Sequence, residues 1–78
     1  MKFKTLDTVV LDRDLPENGL RKWDLGTVVH TYDPDGLEVE FVRVSGRTQA
    51  LVTLRLDDVR AVGQEDLMAV RPLDRGAA

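Results

Sequence analysis

The sequence predicts an all-β domain, a small barrel of short antiparallel strands, on three observations. Side chains alternate between two faces along several separate stretches, the period of a strand. Clusters of Asp, Pro, Gly and Ser punctuate those stretches. No segment sustains the i, i+3, i+4, i+7 apolar spacing of a good helix. With 78 residues, 42% of them hydrophobic and 32% charged, one folded domain uses up the chain.

The first strand is Asp7 to Leu11, with Val9 and Leu11 on one face and Thr8 and Val10 on the other. A longer polar loop follows from Asp14 to Asp24, carrying Pro16, Asn18 and Gly19. The second strand, Gly26 to Tyr32, is rich in β-formers, but its alternation breaks near Val29, which predicts a bulge or a strong twist. Asp33-Pro34-Asp35-Gly36 is a turn: Pro fixes φ, Asp bonds back to the backbone, and Gly accepts a positive φ. The third strand, Leu37 to Phe41, alternates apolar and charged at every step, so Leu37, Val39 and Phe41 face inward and Glu38 and Glu40 face water. Val44-Ser45-Gly46 turns into the fourth strand, where Ala50, Val52, Leu54 and Leu56 oppose Gln49, Thr53 and Arg55. Leu56 to Val59 reads as a 3₁₀ turn before a fifth strand from Val59 to Val62, with Asp57 and Asp58 as capping residues rather than an acid–base pair.

Five short strands in a meander, a long first loop and a 3₁₀ turn before the last strand describe an SH3-like barrel, in which closure of the sheet removes free edges. The rival, an OB-type barrel, needs a helix between strands three and four, where only Val44-Ser45-Gly46 stands. The barrel is assigned to residues 1–62 and a C-terminal extension to residues 63–78. The extension has two readings: Leu67, Met68, Val70 and Leu73 add a strand to the barrel or to a partner, or Gln64 to Met68 form a single helical turn. Arg75 to Ala78 are expected to fray.

The ordered series Leu6-Asp7-Thr8-Val9-Val10-Leu11, Asp14-Leu15-Pro16-Glu17-Asn18-Gly19-Leu20, Asp24-Leu25-Gly26-Thr27-Val28-Val29, Glu38-Val39-Glu40-Phe41-Val42 and Gly46-Arg47-Thr48 resembles a family of short stand-alone bacterial proteins of unknown function with an SH3-like barrel. More distantly, Asp7-x-Val9-x-Leu11 followed by Gly26-x-Val28 is similar to KOW-type barrels and to the barrel of the nitrile hydratase beta subunit. The family resemblance implies a small cytoplasmic protein acting as an accessory or operon partner, antitoxin-like in some members, with no established activity. It also implies Gly immediately before Asp24; this chain has Trp23, which puts a Gly-dependent tight turn in question.

Composition removes several classes of function. There is no Cys, hence no disulfide, thiolate nucleophile or Cys-based zinc site, and a single His, His30, is too few for a zinc centre. Ser45 lies in a turn without a nucleophile elbow, and Asp33-x-Asp35-Gly36 runs into a strand rather than a calcium loop. No cofactor and no catalytic constellation are expected. No apolar run approaches the ~18 residues of a membrane span, and the start lacks a secretory signal, so a cytoplasmic location is expected. Net charge is −3 with both signs interspersed, which disfavours duplex binding. With four aromatics in all, a proline-rich-peptide groove is not expected.

What remains is binding. The expected face joins Leu20, Arg21, Lys22 and Trp23 of the long loop to Leu67, Met68 and Val70 of the extension, with a protein partner, which includes a second copy of the chain. Trp23 has two readings, a contact anchor or a plug over the barrel's open end. The alternative function is a KOW-like nucleic-acid binder using Arg21, Lys22 and Trp23 to neutralise and stack a single strand.

Overall fold

The computed structural model describes residues 1–73. It contains β1 (Thr8–Leu11), a 3₁₀ turn at Pro16–Asn18, β2 (Leu25–Tyr32), β3 (Gly36–Val42), β4 (Thr48–Arg55), a second 3₁₀ turn at Leu56–Asp58, and β5 (Val59–Ala61). All neighbours are antiparallel and form one five-stranded sheet in the order β4-β3-β2-β1-β5. That order, with the 3₁₀ turn preceding the last strand, is the SH3-like arrangement expected from the sequence. The β2–β3 register shifts between Val28 and His30, so the irregularity falls on Val29. It lets β2 bend from its pairing with β1 into its pairing with β3.

Closure is looser than expected. β4 and β5 end the sheet and do not pair with each other, so the ladder leaves two edges where a closed barrel would leave none. The two end strands are joined through the 3₁₀ turn at Leu56–Asp58, whose Leu56 N–H donates to the Asp35 carbonyl at 3.0 Å and so extends the β3–β4 ladder by one bond. Asp58 caps the second 3₁₀ turn as expected, its carboxylate accepting the Arg55 N–H at 2.9 Å and pairing with Arg13 Nε at 3.0 Å.

The alternation read in the sequence is the burial pattern of the sheet. Leu37, Val39 and Phe41 are at most 2% exposed, and Val9, Leu11, Val28, Leu54 and Val59 join them. Fully burying side chains of this size stabilises by about 1.5–3 kcal/mol each, which makes this cluster the main source of stability. Phe3, Leu15 and Leu20 complete the core from outside the strands. Gly26 faces Phe41 at close range: a Cβ there would meet Val39 Cγ1 at 2.5 Å and Phe41 Cε1 at 2.8 Å.

Among the described residues the extension adds no strand to the sheet and forms no helical turn. The edge strand that precedes it in the chain, β5, is three residues long, and Pro72 would remove a ladder donor. The helical turn loses to local side-chain bonding. Asp66 takes the Gly63 N–H on Oδ2 at 2.6 Å and returns its own N–H to the Gly63 carbonyl at 3.2 Å, closing a tight turn instead. From Leu67 to Leu73 the chain runs along the groove as an irregular strap. Residues 74–78, including the end expected to fray, lie outside the described residues.

Candidate binding groove

The long loop ends in a turn built by Arg21-Lys22-Trp23-Asp24. The Asp24 N–H donates to the Arg21 carbonyl at 3.0 Å, and the Arg21 N–H donates back to Asp24 Oδ2 at 2.8 Å. Trp23, the third residue, has φ 82°, a left-handed conformation normally given to Gly. The Trp23 N–H then donates to the Leu11 carbonyl at 2.7 Å, while the Leu11 N–H donates to the Asp24 carbonyl at 2.8 Å. Two residues thus oppose one, a β-bulge whose first residue has positive φ. The turn put in question by the missing Gly is therefore kept, with Trp in the glycine conformation.

The same device occurs a second time. In Lys4-Thr5-Leu6-Asp7, the Asp7 N–H donates to the Lys4 carbonyl and the Lys4 N–H to Asp7 Oδ2, both at 3.0 Å. Leu6 has φ 79°; its N–H donates to the Val28 carbonyl at 2.7 Å, and the Val28 N–H donates to the Asp7 carbonyl at 2.9 Å. The two turns bracket the β1–β2 ladder, and each projects its left-handed apolar residue into solvent: Leu6 is 77% and Trp23 69% exposed. Holding a large side chain in this conformation costs roughly 1–2 kcal/mol, strain that concentrates where function requires it.

Exposure at 69% rules out the plug reading of Trp23. Leu20, expected on the binding face, is 3% exposed: it pairs with Leu15 across the loop and belongs to the core, and from there it lines the floor of the groove described below. Lys22 lies with Nζ 5.8 Å from the Trp23 ring centre and 3.9 Å from Asp12 Oδ1, and its N–H donates to Asp14 Oδ1 at 2.8 Å. Arg21 contributes chiefly its backbone to the turn.

Two bidentate Arg–Asp pairs hold the strap. At its start, Arg60 Nη1 and Nη2 bond Asp66 Oδ2 and Oδ1 at 2.8 and 2.9 Å. Further along, Arg71 Nε and Nη2 bond Asp24 Oδ1 and Oδ2 at 2.9 and 2.6 Å, and the same Nη2 reaches the Gly19 carbonyl at 3.3 Å. Leu67, Met68 and Val70 arch between these pins with 92%, 76% and 88% of their surface in water. Beneath and beside them runs an open groove of about 780 Å³, its walls including Val10, Trp23, Leu25, Val42 and Val62. Val10 points away from the core cluster yet is buried, as a residue at the base of this groove.

The electrostatics favour the pinned state. Burial alone raises the Asp24 carboxyl, but hydrogen bonds from Arg71 and the Arg21 N–H, with both guanidinium charges, outweigh it and hold the group below its ordinary value. Asp66 is drawn down to about 2 by its hydrogen bonds from Arg60 and the Gly63 N–H. Arg60 and Arg71 are raised in turn by the hydrogen bonds to their carboxylates.

The structure brings together Leu20 and Trp23 with Leu67, Met68 and Val70 around one groove, Leu20 as a buried part of its wall, while Arg21 and Lys22 are not among its lining residues. The residues that make the junction, Asp24 and Arg71, lie 47 positions apart, and nothing in their local sequence marks them as partners. Lys4, Arg13, Lys22, Arg55, Arg60 and Arg71 each pair with a carboxylate, so phosphates would have to compete for them. Among the described residues no group of three or more His, Asp or Glu is placed to hold a metal ion, and no helix is long and apolar enough to cross a membrane.

Fold and surface define an all-β SH3-like domain with an aromatic-rimmed groove on its outer face. Residues 5–61 match the family described as a domain of unknown function (DUF4926), and the chain belongs to that family. The match ends with β5, so Trp23 and Asp24 lie inside it and the strap lies beyond. No curated protein and no solved structure matches the chain.

Proposed function

We propose that the protein is a non-enzymatic binding module of the cytoplasm. Its partner is a protein, and its contact face is the groove rim formed by Trp23, Leu67, Met68 and Val70, with Lys22 beside the Trp23 ring. The observation that carries this reading is the Arg71–Asp24 bond, which draws the loop carrying the exposed Trp23 and the exposed apolar strap onto one face. Contiguous exposed apolar surface with a polar rim is the mark of an interaction site. A solvent-exposed Trp held in a strained backbone is also a natural anchor, since Trp is enriched among the residues that dominate interface energies.

Affinity capture from the native host tests the reading, comparing the unchanged chain with Trp23→Ala and with the double variant Leu67→Ser, Met68→Ser. The expected result is one protein retained by the unchanged chain and lost from both variants, each of which keeps its far-ultraviolet circular dichroism. Capture indifferent to all three substitutions would overturn it. A salt-sensitive gel shift with single-stranded nucleic acid, abolished by Trp23→Ala, would replace the protein partner with the nucleic-acid one.

A further inference from the structure

We propose that Asp24 and the Gly19 carbonyl form a receptor for an arginine side chain, occupied at rest by the chain's own Arg71, and that the protein partner docks by placing an arginine from an extended aliphatic segment in the same seat. This rests on the groove being the binding face, and adds to it the chemistry of what binds there.

The seat is built independently of its occupant. Asp24 is fixed by the turn, with its N–H on the Arg21 carbonyl and its Oδ2 receiving the Arg21 N–H. Both carboxylate oxygens therefore face the strap in a set orientation. Gly19, in the left-handed conformation at the end of the first 3₁₀ turn, presents its carbonyl to the same guanidinium. Two parallel charge-assisted bonds and a third to a carbonyl match the planar donor fork of arginine and not the point charge of lysine. With Arg71 seated, the Asp24 side chain is 17% exposed, so the paired carboxylate is largely shielded from water.

The present occupant is lightly held. Among the described residues, every hydrogen bond made beyond Asp66 comes from the Arg71 guanidinium. The strap has no ladder bonds to the sheet, and Leu67, Met68 and Val70 are turned to water rather than down. One side chain is the latch. When it lets go, the Arg60–Asp66 pin still holds the start of the strap, so Leu67 and Met68 stay on the rim while the stretch after them swings clear. The receptor lies within the family's matched residues and the latch outside them. The segment that now fills the seat, Val70-Arg71-Pro72-Leu73, is itself a sample of the ligand: without regular secondary structure, aliphatic, with one arginine. A partner segment of that kind meets both the carboxylate and the apolar groove.

The test uses the full chain and the synthetic peptide Leu-Met-Ala-Val-Arg-Pro-Leu, titrated to millimolar concentration while the fluorescence of Trp23, the sole Trp, is followed. In Arg71→Gln the seat is vacated and the peptide is expected to bind. In the unchanged chain the tethered latch competes at an effective concentration of millimolar order, and apparent affinity is expected to be at least about tenfold weaker. Adding Asp24→Asn to Arg71→Gln is expected to abolish binding, as is replacing the peptide's Arg by Gln. Three results would each overturn the proposal: no response from Arg71→Gln, equal affinity in the unchanged chain, or binding that survives loss of the carboxylate or of the peptide's arginine. A captured partner that is lost with Trp23→Ala but retained with Asp24→Asn would leave the binding face standing and remove the arginine seat alone.

Discussion

Trp23 shows how much a single residue's backbone can say. Its positive φ is the price of a turn that glycine would make without strain, and Leu6 bears the same cost at the other end of β1. If the indole serves a partner rather than the fold, Trp23→Gly should be more stable than Trp23→Ala by about 1 kcal/mol, since only Gly relieves the left-handed strain and both lose the ring. Urea unfolding followed by circular dichroism measures the difference; an Ala variant equal to or more stable than the Gly variant would show that the turn stores no strain. Gly26 is the opposite case. Its φ is not the constraint; the constraint is space, and Gly26→Ala must push Phe41 or Val39 aside. That overpacking is expected to cost about 1–3 kcal/mol in the same experiment, with an unaltered midpoint as the contrary result.

At the scale of elements, the strands were legible because each has one wet and one dry face. The alternation Leu37-Glu38-Val39-Glu40-Phe41 is the burial pattern of β3 written out in residues. Val29 was legible as a bulge because it breaks that alternation. The twin turns were hidden: a left-handed position announces itself through Gly or Asn, and here Leu and Trp fill it. The strap is hard to read for a related reason: its apolar residues suggest a strand added to the sheet, while its ordering in the structure comes from two arginines bonded to carboxylates. Those pins carry a pH dependence. Asp66 falls from an ordinary 3.8 to about 2 when the strap is pinned, and Asp24 is also lowered. Groups depressed by pairing favour the pinned state fully above their free values and stop doing so as pH falls through the pinned ones. The strap should therefore remain closed at neutral pH and release between about pH 4 and pH 2, ahead of the strands. Amide chemical shifts of Leu67 to Arg71 followed against those of β3 report it. Simultaneous loss of both sets would mean that the strap has no opening of its own.

For the molecule as a whole, the two faces of the sheet divide the work of stability and of binding. The core side gathers Val9, Leu11, Val28, Leu37, Val39, Phe41 and Leu54 into one dry cluster that includes no residue of the strap. The outer side carries the groove and Trp23, joined to the strap by side chains alone. A segment so attached can open without unfolding what lies beneath it, because local opening is governed by local contacts. Leu11→Ala and Arg71→Ala separate the two layers. Leu11 is fully buried, and its truncation should cost about 2–5 kcal/mol of global stability while the strap stays latched below the unfolding transition. Arg71→Ala removes a surface latch and should shift global stability by less than about 1 kcal/mol, yet raise amide exchange along Leu67 to Leu73 and alter Trp23 emission. Native-state hydrogen exchange read residue by residue distinguishes them. If Arg71→Ala weakens protection in β1 and β3 as much as in the strap, the strap is part of the cooperative core, and a partner could not displace it without unfolding the domain.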